Sequence, residues 1–330
     1  MSTWINHSLY IEPIRAYIDP IRPVERAIIT HAHADHARAG HKAVLATRQT
    51  IDIMKLRFGE NCAESFQILD YKKPLKIDDV TITLYPAGHV LGSAQVLIEH
   101  AGERVVVTGD YKTQASSTAQ PFELVTCDTF ITEATFGLPV FQHPEPRQEI
   151  ARLIQSVENN PHRSHVVGAY ALGKTQRVIR LLREAGYDEP IYLHGANTKL
   201  CDYYQSEGVE LGELRKALHT LKDEFKGSIV MAPPSALKDR WSRRLPDPVI
   251  CYASGWMNIK QRAKQSLVEL PLILSDHVDW NELTATIPAT QAERIWVTHG
   301  REDAIVHWCT QRGLDAQPLN IQGREEESGE

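Results

Sequence analysis

Ala27-Ile28-Ile29-Thr30-His31-Ala32-His33-Ala34-Asp35-His36 joins a short apolar run to four ligand-type side chains within six residues. The apolar part reads as a buried strand that stops at His31. His31 and His33 alternate, so two imidazoles can turn toward one ion, while Asp35 and His36 face a second from the following turn. The alanines between them let the loop fold tightly. Imidazole and carboxylate suit Zn, and also Mn or Fe. A surface histidine cluster is the bland alternative, but with 15 histidines in 330 residues this order is improbable by chance.

The same pattern recurs outward from this stretch. Residues 80–85 read as a strand broken by Pro86-Ala87-Gly88 just before His89, and 95–99 as another strand. Residues 104–108 end at Gly109-Asp110, and 129–132 end at Glu133. Residues 271–274 end at Ser275-Asp276-His277, and 294–297 at Thr298-His299-Gly300. Side chains at strand ends are held by a rigid sheet yet face a cleft, which suits a site. Residues 37–57 have helical character. The middle of the chain changes texture. Helices are expected over 144–157, 173–185, 199–205 and 211–222, and strands over 165–169, 190–193, 228–232 and 249–252. That alternation implies parallel βαβ units, hence an inserted α/β domain.

Apolar content of 42 % and charged content of 24 % are those of an ordinary globular chain. The net charge of -6 excludes a uniformly basic nucleic-acid binder, but the average hides an asymmetry. Residues 141–264 hold 19 Lys+Arg against 14 Asp+Glu, while the rest holds 17 against 28. A carboxylate-rich metal site belongs in the acidic part, and a polyanion would prefer the basic middle. The five cysteines contain no C-x-x-C pair, which suggests reduced, buried thiols in a cytoplasmic protein. No signal peptide is expected at Met1–Tyr10, and no stretch approaches the roughly 20 apolar residues of a membrane helix. The acidic end, residues 323–330, reads as a flexible tail.

In these motifs the sequence resembles the metallo-β-lactamase superfamily, with an αββα sandwich as the implied α/β fold. The resemblance implies one divalent ion held by His31, His33, His89 and Asp110, and a second held by Asp35, His36, Asp110 and His299. Zn is the expected metal and Mn the alternative. Two such ions would generate hydroxide at neutral pH and clamp oxygens as charge develops. Asp19, in Ile18-Asp19-Pro20, matches an early acidic position that orients ligands, although an Asp-Pro turn explains it equally.

Glu133 in Ile131-Thr132-Glu133-Ala134-Thr135-Phe136-Gly137, His277, and His299 in Thr298-His299-Gly300 further resemble the β-CASP branch, whose members cut DNA or RNA. The resemblance spans nearly the whole chain and implies a division into 1–140, a β-CASP-like insertion over 141–258, and a second part over 259–322. The insertion's boundary with the sandwich would form the substrate cleft. His277 would serve as general acid with Glu133 orienting it, because a histidine held by a carboxylate is a good proton donor. A metal-ligand role for His277 and a helix-terminal or ion-pair role for Glu133 stay open. Asp35 is counted with them as essential to the chemistry.

The string looks most like bacterial ligase-associated DNA exonucleases, similar to the crosslink-repair nucleases. That favours DNA repair at single-stranded or frayed 5′ ends, with a DNA ligase or helicase as partner and no membrane. A histidine at the third position is associated with RNA-cutting members, whereas the short insertion and the lack of their long C-terminal extension favour DNA. Rival readings are a ribonuclease, a thioesterase- or lactonase-like hydrolase, and a scaffold with a decayed site. Expected substrate contacts are Lys174, Arg240, Ser254, Gly255 and Ser275. Lys174, Arg177, Arg180 and Arg183 would form a basic stripe on one helix, and Arg240-Trp241-Ser242-Arg243-Arg244 would offer phosphate contacts and a base stack. His7, His41, His143, His165, His194 and His307 read as ordinary core or surface residues.

Overall fold

Along four neighbouring strands the apolar side chains alternate between two cores. Val96, Ile98, Val105, Val107, Ile131 and Trp296 face one, whereas Leu97, Val106, Phe130, Ile295 and Val297 face the other. This is the period of two of an extended chain buried on both faces. The structure is a computed structural model that describes residues 4–218, 220–265 and 267–319. The expected tail at 323–330 lies outside the described residues.

The strands belong to a seven-stranded sheet in the order Asp315–Pro318, Arg294–Gly300, Thr129–Ala134, Glu103–Val107, Ala94–His100, Val80–Pro86, Leu75–Ile77. A five-stranded sheet, Tyr10–Ile11, Ala16–Ile18, Arg26–Ile28, His41–Ala46 and Ala63–Ile68, contributes Ile18, Ile28 and Leu45 to the first core. The helices Trp280–Ala289 and Glu302–Thr310 contribute Leu283, Ile287, Ile305 and Cys309 to the second. The helix Arg48–Phe58 flanks the smaller sheet beside Ala63–Ile68. Each fully buried aliphatic side chain stabilises this stack by about 1.5–3 kcal/mol.

The described residues divide into two compact units, one built from residues up to Gln142 and from His277 to Leu319, the other from His143–Asp276. The second unit is a six-stranded, all-parallel sheet: Leu214–Lys216, Ile191–Leu193, Ile229–Ala232, His165–Gly168, Val249–Ala253, Leu270–Leu272. Helix Pro146–Asn159 leads into His165–Gly168, and helices Lys174–Glu184 and Gly195–Ser206 connect that strand to Ile191–Leu193 and Ile191–Leu193 to Leu214–Lys216, as parallel pairing requires.

Three sequence expectations are corrected here. The insertion does not close at 258, because Leu270–Leu272 pairs in parallel with Val249–Ala253, so the second unit runs to Asp276. Residues 37–57 are not one helix. His41–Ala46 is a central strand flanked on both sides, and the helix starts only after the Thr47 cap, which accepts from the Thr50 N–H. Among the described residues of 211–222 there is no α-helix either: Leu214–Lys216 forms the sheet's edge strand, and a 3-10 turn begins only at Lys222. In both stretches tertiary pairing overrides local pattern. Among the described residues no helix is long and apolar enough to cross a membrane.

Candidate metal centre

The ligand-type residues gather because the strands that precede them end at one edge. Glu103–Val107, Thr129–Ala134 and Arg294–Gly300 are parallel to one another. Ala94–His100 runs antiparallel to Glu103–Val107, so the loop between Pro86 and Ala94, which carries His89, emerges at that same edge. The histidine loop follows Arg26–Ile28 of the smaller sheet. There the His36 and Ala37 N–H groups both donate to the His33 carbonyl, and buried Ala32 and Ala37 leave room for the tight turn.

Two glycines make the approach possible. Gly109 has φ +57°, and a Cβ there would sit 2.5 Å from Thr30 Oγ1. Gly300 has φ +92°, and a Cβ would meet the Ala134 carbonyl oxygen at 2.3 Å. Glu133 lies opposite Thr298 but Ala134 opposite Gly300, so His299 is the extra residue of a β-bulge, itself at φ +67°. Bulges re-aim side chains beside sites.

Two sets of ligand atoms result. In the first, His89 Nε2 lies 3.0 Å from His33 Nδ1 and 3.7 Å from Asp110 Oδ2, and His31 Nε2 lies 3.4 Å from the same oxygen. In the second, Asp35 Oδ2 lies 3.5 Å from both His36 Nε2 and His299 Nε2. Asp110 turns its other oxygen, Oδ1, to His36 Nε2 at 3.4 Å. It therefore offers one oxygen to each set.

The donor sets fit divalent cations. Ligands about 2.1 Å from a tetrahedral centre stand about 3.4 Å apart, the spacing observed. His31 Nε2, His36 Nε2, Asp35 Oδ1, Asp110 Oδ1 and His299 Nδ1 are buried without a hydrogen-bond partner, an expensive arrangement for protein alone. Thr30 Oγ1 donates to Asp19 Oδ2 at 2.6 Å, leaving its lone pair for the Nδ1–H of His31 at 3.1 Å. The Nδ1–H of His36 donates to Asp19 Oδ2 at 2.7 Å. Both rings thus turn Nε2 toward the centre.

The electrostatics separate the rings. Burial, followed by the charge of His36, lowers His31 to about 4. Burial also drives His89 well below its usual value, with His277 and His31 adding to the shift. For His36 burial acts downward, but the carboxylates of Asp110 and Asp35 outweigh it and raise the group well above the ordinary range. Burial would raise Asp35 and Asp110, yet the His36 charge and the other histidines hold both carboxylates low.

Beside the ligands, His277 Nδ1 lies 2.9 Å and 3.1 Å from the two oxygens of Glu133. Glu133 is buried and accepts from the Tyr111 N–H at 2.8 Å, and Tyr111 in turn accepts from the Val278 N–H. His277 Nδ1 is 3.9 Å from Asp110 Oδ2, and its side chain keeps 24 % exposure. Asp110, Glu133 and His277 also bring ligand-type atoms within 4.8 Å of one another, so the arrangement accommodates a ligand role too.

The nominated substrate contacts all fall in the second unit. Lys174 and Ser275 are buried, and the Lys174 ammonium pairs with Asp276 at 3.0 Å and donates to the Leu274 carbonyl. Arg177 donates to the Ser275 carbonyl and to Asp276. Arg180 pairs with Glu184 and Glu210, and Arg183 is spent on the carbonyls of Leu211, Tyr187, Glu189 and Glu213. The expected basic stripe is therefore compensated by its own neighbours. Ser254 and Gly255 are buried, with Ser254 capping a 3-10 turn through the Trp256 N–H. Arg240, Arg243 and Arg244 are exposed. Trp241 is half-buried against the unit's core and the His194 ring.

Sequence reasoning missed the anchor of the Asp110 loop. Lys112 pairs with Glu282, which also accepts from Thr113 Oγ1, the Gln114 N–H and the Asp279 N–H. The available signal was the D-x-x-E capping box Asp279–Glu282, in a chain where lysine is seldom buried.

The facing sheets, their outer helices and this cluster at the strand ends define a protein of the metallo-β-lactamase fold. No family model matches the chain. It is similar to a probable DNA ligase of Opitutus terrae, 28 % identical over 321 residues, covering 94 % of this chain and 30 % of that protein. It is also similar to an RNase J-like protein of Methanocaldococcus jannaschii, 25 % identical, covering 69 % of this chain and 65 % of the relative. An endoribonuclease ysh-1 of Neurospora crassa is 34 % identical over 145 residues, covering 41 % of this chain and 17 % of the relative. The chain thus spans less than two thirds of the length of each. A crystal structure of a protein of unknown function from Enterococcus faecalis superposes with a TM-score of 0.54 at 14 % identity, covering 82 % of this chain and 74 % of that one, a likeness of fold. Together these relatives support the β-CASP branch of the metallo-β-lactamase proteins.

Proposed function

We propose that the chain is a two-metal phosphodiesterase that hydrolyses DNA from an end, as an exonuclease of DNA repair. The observation that carries the nuclease reading is the Glu133–His277 pair beside the shared carboxylate of Asp110, because breaking a P–O bond leaves an alkoxide that needs a proton. His31, His33, His89 and Asp110 would hold one divalent ion, and Asp35, His36, Asp110 and His299 a second. Zn is the first choice and Mn the alternative. When bound, the ions supply Lewis acidity toward water and phosphoryl oxygens. Asp19 and Thr30 fix the tautomers of His36 and His31 for that purpose. Glu133 accepts from the Nδ1–H of His277 and favours the imidazolium, whose Nε2–H on the partly exposed ring would pass a proton to the leaving oxygen. Arg240, with Arg243 and Arg244, is a surface phosphate contact in this reading.

DNA is preferred because the similarity to the probable DNA ligase covers most of this chain. A DNA ligase is the partner proposed on the same ground, with a helicase of the same repair process as the alternative. A ribonuclease is the second reading, favoured by the relatives named RNase J-like protein and endoribonuclease. End-labelled DNA and RNA strands digested side by side with Zn or Mn test both. Faster loss of DNA, with mononucleotide products from one end, is expected. Faster loss of RNA moves the chain to the second reading, and turnover of neither strand but of a model thioester removes the nuclease reading.

A further inference from the structure

From Pro248 to Val268 the sequence contains no acidic residue but holds Lys260, Arg262 and Lys264. These sit on the helix Lys260–Gln265, exposed, and without an acidic partner among the described residues. The Arg262 guanidinium lies 4.1 Å from the centre of the Trp256 ring. A cation held on an aromatic face is positioned without being neutralised. The contrast lies within the same unit, where Lys174, Arg177 and Arg180 are matched by Asp276, Glu184 and Glu210. Uncompensated charge on a solvated helix beside a half-buried indole is the chemistry that tracks a phosphate backbone and stacks bases.

We propose that Lys260, Arg262 and Lys264 with Trp256 form a docking surface for single-stranded nucleic acid. The inference deepens the nuclease reading and rests on it for the identity of the polyanion, while the surface is testable separately. Each phosphate contact on a single strand contributes about 0.7 to the slope of log affinity against log salt. The triple variant Lys260→Gln, Arg262→Gln, Lys264→Gln should therefore lose roughly 2 from that slope. Trp256→Leu should weaken binding about tenfold at constant slope, because stacking releases no counterions.

The measurement is fluorescence anisotropy of the full chain with metal present, using labelled phosphorothioate strands of DNA and RNA, which keep their charge and resist hydrolysis. Arg180→Gln, whose charge is already compensated, serves as the control and should keep the wild-type slope. A triple variant with the wild-type slope overturns the proposal, as does equal competition by polyglutamate and unlabelled strand at matched charge. Turnover of a dinucleotide by the same proteins separates the two readings. Absent turnover with slope-dependent strand binding sinks the nuclease reading alone, whereas normal turnover with an unchanged slope sinks the surface alone. The substituted cations are exposed, so the triple variant leaves the core of the unit intact.

Discussion

Oδ2 of Asp19 lies 2.7 Å from Nδ1 of His36, and Oδ1 of the same carboxylate accepts from the Thr30 N–H at 2.7 Å. One buried acid thereby orients the ring of a candidate ligand and fastens the backbone that leads into the histidine loop. Asp19→Asn keeps the shape and removes the charge. Orienting partners of this kind are worth about 10–100-fold in metal affinity. A chelator competition titration should show a loss in that range, with the melting temperature of the metal-free protein little changed.

His277→Ala should slow strand cleavage by about 100-fold or more, the contribution of a positioned proton donor. Strand affinity should stay close to wild type, since the ring is one contact among many. Glu133→Gln should fall between, and added imidazole should partly restore His277→Ala. Single-turnover rates alongside binding isotherms check this, and equal rates for wild type and His277→Ala remove the proton donor.

Lys112 and Glu282 fasten the loop that carries Asp110 to the helix that follows His277. Burial alone would raise Glu282, but the Lys112 ammonium and the bonds from Thr113 and Asp279 outweigh it and hold the carboxyl below its usual 4.5. A depressed carboxylate contributes stability that is present above 4.5 and lost as pH falls through the lower folded value. Lys112→Met should cost roughly 3 kcal/mol near neutrality by stranding a charge. Denaturant unfolding should show that cost shrinking in acid, where Glu282 is protonated. A constant difference across pH would mean packing alone.

Gly300→Ala should be among the most damaging substitutions in the chain. The added methyl collides with the Ala134 carbonyl, and the backbone lies in the left-handed region. A loss of roughly 2–4 kcal/mol is expected. Because the neighbouring His299 is set by the same bulge, metal retention should fall together with the melting temperature.

His165 provides a pH marker for the second unit. Burial, reinforced by the Arg163 charge, lowers this ring to about 4 from 6.5. Between those values the unfolded chain carries a proton that the folded one refuses, so stability falls as pH falls, by about 1.4 kcal/mol per unit at most. His165→Gln should be less stable at pH 7 but flatter toward pH 5, as followed by thermal melts.

The candidate ligands stand out in the sequence because each site segment follows an apolar run, with glycine beside His89, Asp110 and His299, so chemistry and chain reversal coincide in print. The layered fold was legible for the same reason, through Val105-Val106-Val107 and Ile295-Trp296-Val297, whose alternate residues fill opposite cores. What could not be read is pairing between distant segments. His41–Ala46 looks helical until its neighbours in the sheet are known, and Leu270–Leu272 looks like part of the sandwich until it pairs with Val249–Ala253. Charge compensation was equally hidden, because Arg180 meets Glu210 and Lys174 meets Asp276 only in three dimensions.

The strand Arg294–Gly300 pairs with Thr129–Ala134 in the middle of the larger sheet, yet a whole second unit of chain intervenes between them. During synthesis, Thr129–Ala134 emerges long before its neighbour, with apolar side chains on both faces and an unpaired edge. Such an edge invites association between nascent chains. The second unit, closed by contacts within its own segment, can mature first, so completion of the first waits for ribosomal delivery of residues beyond 294. Pairing across so long a loop is intrinsically slow, and a chain released early would carry every candidate ligand except His299 on an unfinished sheet.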